Sequence, residues 1–186
     1  MKKILITGAT GFIGSRLLFG LKEHTSRLKV KVAREKWEDP KIKILSRKSH
    51  HYYETIVCDL LSEEVPDGAL DMVDTVYHLA GFAHDLRDAS DFEFLYRALN
   101  VNSTVRLAEM AVSSGARRFV FVSSVKAGGQ NVSGKPDGIY GETKREAELK
   151  LLELGRQSGM HITIVRPSLV YGPGVKGNLA LMRRGI

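Results

Sequence analysis

The sequence predicts an α/β protein built on a doubly wound parallel sheet with helices on both faces. Short apolar runs of strand length alternate with segments of helical periodicity along the 186 residues. Glycines cluster directly after the first apolar run, and the composition, 43% hydrophobic and 26% charged, is that of a globular chain with a core. Near-continuous apolar strands belong to sheets covered on both faces. The same composition excludes disorder and collagen-like repeats, and no run approaches the ~20 apolar residues that a membrane helix requires.

The elements follow in order. Lys3-Ile4-Leu5-Ile6-Thr7 is an apolar run stopped by Gly8, the pattern of a buried strand. From Phe12 to about His24, Ile13, Leu17, Leu18 and Leu21 share one helical face. Lys41 to Ser46 alternates as a second strand, after a first crossover lengthened by residues 25–40. Thr55 to Asp59 and Thr75 to Leu79 read as the third and fourth strands. A long helical pattern covers roughly residues 91–114, and Arg118 to Ser123 is a fifth strand. Lys126 to Gly138, with four glycines and one proline, is a loop. A helix from about 140 to 157 and a strand from His161 to Arg166 complete the pattern.

Charge and cysteine content narrow the class. The net charge is +7, from 28 Lys and Arg against 21 Asp and Glu. The basic residues Lys29, Lys31, Arg34, Lys36, Lys41 and Lys43 are broken up by other residues, without the aromatic interleaving of an RNA-binding module. A solvated basic surface or an anionic nucleotide ligand accounts for them, and a nucleic-acid partner is not expected. The single cysteine, Cys58, excludes an intrachain disulfide and fits a reducing compartment. The six histidines have no metal-ligand spacing, so no metal site is expected. Three apolar residues between Lys3 and Thr7 are too few for a secretory signal, and a cytoplasmic protein is expected.

The chemistry begins at Thr7-Gly8-Ala9-Thr10-Gly11-Phe12-Ile13-Gly14, where the strand hands over to a helix. Gly8 permits a tight turn, Gly11 lets the backbone approach a pyrophosphate, and Gly14 allows close packing of the helix. The helix start points N–H groups and a positive dipole end at that pyrophosphate, which defines a dinucleotide site. An acid about 20 residues on would hold the ribose of NAD. Here that position is Arg34, and the second strand ends in Ser46-Arg47-Lys48. Arg47 either receives the 2′-phosphate of NADP or is a surface residue, so the cofactor is NAD or NADP with a lean to NADP. Asp59, ending the third strand, could hydrogen-bond an adenine amino group.

Tyr140 and Lys144 stand at i and i+4, on one helical face. They open the helix that follows the strand ending in Ser123-Ser124, at the edge where parallel sheets place ligands. A phenol with a pKa of about 10 is a poor base at neutral pH. A lysine ammonium one turn away, with a positive nicotinamide, would stabilise the phenolate. Tyr140 would then take a hydroxyl proton, with Ser124 hydrogen-bonded to the reacting oxygen.

These motifs, with Cys58-Asp59-Leu60, His78-Leu79-Ala80-Gly81, Asn100-Val101-Asn102, Phe121-Val122-Ser123-Ser124 and Arg166-Pro167-Ser168-Leu169-Val170-Tyr171-Gly172-Pro173-Gly174, resemble the extended short-chain dehydrogenase/reductases. The resemblance is greatest to NAD-dependent epimerase/dehydratase proteins of the nucleotide-sugar 4-epimerase kind. It implies a Rossmann-type fold and a catalytic trio of Ser124, Tyr140 and Lys144. It implies cofactor contacts from Gly8, Gly11, Phe12, Ile13 and Gly14 in the first turn, and from Arg47, Asp59 and Leu60 after the next two strands. It implies others from Leu79, Ala80, Gly81 and Asn100, from Tyr140 and Lys144, and from Pro167 and Ser168. Ser124 and Asn178 would touch the substrate, a UDP-linked nucleotide sugar, and the long helices would support a homodimer.

Three departures shape the expectation. Val125-Lys126 follow Ser124 where the family's dehydratases carry Asp-Glu, which disfavours dehydration. The loop from Lys126 to Ile139 is short. The chain ends at Ile186, so residues 1–170 would form the cofactor domain and 171–186 only the start of a substrate lobe, without the last strands. The expected activity is NAD(P)-dependent epimerisation at the sugar C4 through a keto intermediate. The alternatives are an NADPH-dependent 4-keto-sugar reductase and a catalytically idle dinucleotide-binding fragment.

Overall fold

The computed structural model describes residues 3–31, 41–83, 92–128 and 134–173. Six strands form one sheet: β1 (Lys3–Thr7), β2 (Lys41–Ser46), β3 (Glu54–Val57), β4 (Val73–His78), β5 (Arg118–Val122) and β6 (His161–Val165). Their order is β3-β2-β1-β4-β5-β6, with every neighbouring pair parallel. Order reverses between β1 and β4, the point at which an open parallel sheet offers a crevice to a ligand.

The sheet's two faces carry different cores. Leu5, Leu45, Val76, Phe119 and Phe121 point to one face. There they meet Leu107, Ala108 and Ala111 of α3 (Ser103–Ser113) and Ala147 and Leu151 of α4 (Gly138–Ser158). Ile6 and Ile44 point to the other face, where Leu18 of α1 (Phe12–Lys31) covers them, with Leu17 and Leu21 packed alongside. Consecutive residues such as Leu5 and Ile6 are thus both fully buried, which is why the strands read as unbroken apolar runs.

Local differences from the sequence reading have physical reasons. α1 runs on to Lys31, since neither glycine nor proline interrupts residues 21–31. The long helical pattern near 91–114 resolves into α2 (Glu93–Arg97), a π-helical turn (Ala98–Asn102) and α3 in direct succession. Ser103 Oγ donates to the Leu99 carbonyl at 2.6 Å, beside that widened turn. The π turn carries the buried Asn100, and such insertions concentrate at functional sites.

Phe119 is fully buried at the centre of the larger core, whereas Phe94 is 78% exposed. Phe119→Ala is expected to cost about 3–5 kcal/mol in urea unfolding, and Phe94→Ala about 0.5 kcal/mol or less. Equal losses at the two positions would contradict the core described above.

Candidate active site

Because every strand is parallel, the residues after each strand share one edge of the sheet. Gly8 follows β1 with φ +68°, and a Cβ there would lie 2.6 Å from the Ala80 nitrogen and 2.7 Å from the Leu79 carbonyl carbon. Only glycine lets the β1 turn touch the chain leaving β4. A Cβ on Gly14 would strike the Gly8 carbonyl oxygen and stand 2.7 Å from Ala9 Cα. The close approach at Gly14 is therefore to the glycine turn itself. Gly11 N–H donates to the Gly8 carbonyl at 3.0 Å, closing the turn, and Phe12 and Ile13 begin α1. The chain after β6 returns to this point, where Arg16 donates to the Pro173 carbonyl.

A buried polar chain fixes the crevice from below. Thr7 Oγ1 accepts from the Ala80 N–H at 3.2 Å and lies 2.7 Å from His78 Nδ1, while His78 Nε2 lies 2.9 Å from Thr104 Oγ1. Thr7, His78 and Thr104 are all fully buried. Burial, with a smaller contribution from the Lys144 charge, pushes the His78 pKa down to about 3, so the ring is neutral and each nitrogen has a partner.

Above it, Asn100 is a clamp. Its amide accepts from the Phe82 N–H at 2.7 Å and donates to the Phe82 carbonyl at 3.0 Å and to Thr143 Oγ1 at 3.3 Å. The side chain thus holds the Gly81–Phe82 segment against α4. A Cβ on Gly81 would lie 3.1 Å from Asn100 Oδ1 and 3.4 Å from Lys144 Nζ.

Ser124, Tyr140 and Lys144 come together beside this segment. Ser124 caps a short 3-10 turn (Val125–Ala127), its Oγ accepting from the Lys126 N–H at 3.2 Å. Tyr140 sits in the first turn of α4, its ring 6.4 Å from Tyr96 in an edge-on arrangement. Burial raises the Tyr140 pKa above its ordinary value, a hydrogen bond with Ser124 draws it back, and the nearby Tyr96 raises it. Lys144, 3% exposed, donates to the Val122 carbonyl at 2.8 Å and stands 4.3 Å from the centre of the Phe121 ring. Burial pushes its pKa down to about 8, and Glu148 acts the other way.

The remaining expected residues that the structure describes follow the strands at the same edge. Arg47 is exposed just beyond β2. Asp59 follows β3 and its carboxylate accepts from the Leu61 N–H at 3.0 Å, with Leu60 buried beneath. Pro167 and Ser168 follow β6, and the Pro167 carbonyl accepts from the Val125 N–H at 3.2 Å, tying them to the Ser124 turn. Asn178 lies outside the described residues. Sequence reasoning did not single out Thr7, Thr104, Thr143, Tyr96 or Glu148. Glu148 alone had a local signal, standing one further helical turn beyond Lys144.

A parallel sheet of this order, with a glycine turn at the switch point and a serine, tyrosine and lysine on the same edge, defines a Rossmann-fold protein of the short-chain dehydrogenase/reductase type. The chain belongs to the NAD dependent epimerase/dehydratase family, whose model matches residues 4–186. It is 33% identical over 194 residues to a UDP-glucose 4-epimerase of Vibrio cholerae, aligning 98% of this chain with 56% of that protein. It is 30% identical over 189 residues to a 3 beta-hydroxysteroid dehydrogenase/Delta 5-->4-isomerase of Mycobacterium tuberculosis, aligning 92% of this chain with 48% of that protein. The solved structure of MoeE5 in complex with UDP-glucose and NAD superposes with a TM-score of 0.75 at 28% identity, covering 97% of this chain and 59% of that one. The chain therefore spans about half the length of the curated relatives it matches. Among the described residues, no helix is long and apolar enough to cross a membrane, and no cluster of His, Cys, Asp and Glu could hold a metal ion.

His78 gives a pH signature. The unfolded chain's histidine binds a proton below about pH 6.5, while the folded one stays neutral to about pH 3. Its contribution is present above pH 6.5 and lost as the pH falls, by about 2 kcal/mol between pH 7.5 and pH 5. Urea midpoints at these two pH values should differ less in His78→Gln than in the parent. An unchanged difference would count against a neutral buried ring.

Proposed function

We propose that this chain carries the cofactor half of an NAD(P)-dependent nucleotide-sugar 4-epimerase. The observation that carries the reading is the placement of Ser124 in the turn after β5 beside Tyr140 in the first turn of α4, at the sheet edge, with Lys144 buried one turn further along the same helix. The residues present fit a dinucleotide. Gly8 and Gly14 let the turn after β1 fold tightly against itself and against the chain leaving β4, and the first turn of α1 has N–H groups suited to a pyrophosphate. Ser123 Oγ is buried beside Ser124 without a hydrogen-bond partner among the described residues.

In this reading the glycine turn and α1 hold the pyrophosphate, Asp59 and Leu60 flank the adenine, and Pro167 and Ser168 back the nicotinamide. A dinucleotide held there would supply a reversible hydride acceptor beside the sugar carbon. Tyr140 takes the C4 hydroxyl proton as the hydride leaves, and gives it back when the hydride returns to the other face. Ser124 hydrogen-bonds the same oxygen and keeps it in line with the phenol. The fold alone leaves Tyr140 protonated at neutral pH, because burial raises its pKa. Positive charge from Lys144, and from a nicotinamide held beside it, would draw it down. Lys144 loses its own proton above about pH 8, and activity should fall there. The relatives' names, a UDP-glucose 4-epimerase and a complex with UDP-glucose, favour a UDP-sugar as the substrate.

Arg47 favours a second reading, an NADPH-dependent 4-keto-sugar reductase using the same trio. No carboxylate stands between Ser46 and Tyr53, and Glu54 is drawn to Lys43 at 3.0 Å at the start of β3. A 2′-phosphate beside Arg47 and Lys48 would be matched in charge, where a bare ribose would lack its usual carboxylate.

Two measurements test these readings. Tyr140→Phe should lower turnover of a UDP-sugar by about 10²–10⁴-fold while dinucleotide affinity in a fluorescence titration changes little. Lost binding with retained turnover would refute the role. In the same titration NADPH should bind more tightly than NADH, and Arg47→Asp should remove that preference. Net consumption of NADPH by a 4-keto sugar would select the reductase, and retained cofactor with no net oxidation the epimerase.

A further inference from the structure

Glu148 is 1% exposed and stands one helical turn beyond Lys144 on α4. A buried carboxylate and a buried ammonium at i and i+4 would ordinarily close into an ion pair, since each lacks water. Here they do not. Both carboxylate oxygens are taken by Arg166 at the end of β6: Nε donates to Oε1 at 2.8 Å and Nη2 donates to Oε2. Arg145 adds a longer contact at 3.8 Å. The Lys144 ammonium turns instead to the Val122 carbonyl and the Phe121 ring, on the side of Gly81.

We propose that Arg166 is a positioning residue: by occupying both oxygens of Glu148 it keeps that carboxylate from capturing Lys144, and so leaves the ammonium at the carboxyl edge of the sheet. Its importance for catalysis rests on the reading of Lys144 given above, but the electrostatic claim does not. A guanidinium fork suits the task because it engages both oxygens of a carboxylate with two parallel hydrogen bonds, which a lysine cannot do. The same pair ties the exit of β6 to α4. Arg166 is followed by Pro167, whose carbonyl holds the Ser124 turn through Val125. One contact therefore sets the lysine, the serine turn and the Pro167–Ser168 segment relative to one another.

The groups facing Lys144 define the test. From α4 they are Tyr140 and Glu148; from β4, the neutral His78; and from β6, Arg166 acting through Glu148. Protein labelled with ¹³Cε-lysine reports the Lys144 titration directly, the signal being assigned by its loss in Lys144→Met. No cofactor or substrate is needed, so failure of the enzymatic reading, seen as absent dinucleotide binding, is separate from failure here. In Arg166→Met the freed carboxylate should pair with the ammonium and raise the Lys144 midpoint by about 1–3 pH units. In the double variant Glu148→Gln/Arg166→Met that rise should disappear. A folded Arg166→Met protein with an unchanged midpoint would overturn the proposal. Should that variant fail to fold, Arg166→Lys carries the test, since it keeps the charge but frees one oxygen. A smaller rise supports the proposal, and no rise overturns it.

Discussion

The β1 turn touches the chain leaving β4 so closely that even one added carbon at Gly8 would sit 2.6 Å from the Ala80 nitrogen. The site depends on that contact. β1 and β4 are adjacent in the sheet although two strands separate them in sequence, and their carboxyl ends diverge into different turns. Pressing those turns together brings the glycine loop, Ala80 and Gly81 into one crevice. Thr7 and His78 then pin it from beneath, and Thr104 ties it to α3.

The edge is also an electrostatic arrangement. Its interior holds a histidine kept neutral, a lysine with a depressed pKa and a carboxylate paired through both oxygens with an arginine. An unpaired buried charge is costly, so each solution constrains the next. The neutral His78 tolerates the lysine nearby, and the Val122 carbonyl and Phe121 ring receive it. Arg166, only partly buried, brings the charge that Glu148 needs without bringing more cation into the core. For Tyr140, burial and the neighbouring Tyr96 raise the pKa while Ser124 lowers it.

Much of this was legible along the chain because the signal was local. Gly8, Gly11 and Gly14 follow an apolar strand and precede a helix, and Tyr140 and Lys144 share a helical face. Ser124 was found from its place after β5. Those features need only a period and a position. The pairing of Asn100 with Phe82, 18 residues apart, was not legible, because the π-helical turn that aims the amide has no periodic signature. Nor was the dependence of Lys144 on Arg166, since nothing in the spacing says that β6 leaves the sheet beside the third turn of α4.

By itself the sequence determined the alternation of strands and helices, the burial of both sheet faces, the glycine turn and the residue types of the edge. These follow from short-range chemistry: side-chain volume, backbone freedom and helical repeat. Tertiary structure decided which of those residues meet. It made Asn100 a clamp on the Phe82 backbone, turned Lys144 toward the Val122 carbonyl, and gave Glu148 to Arg166. Those choices depend on strand register and on competition among buried charges for a few partners, quantities that exist only once distant segments are packed together.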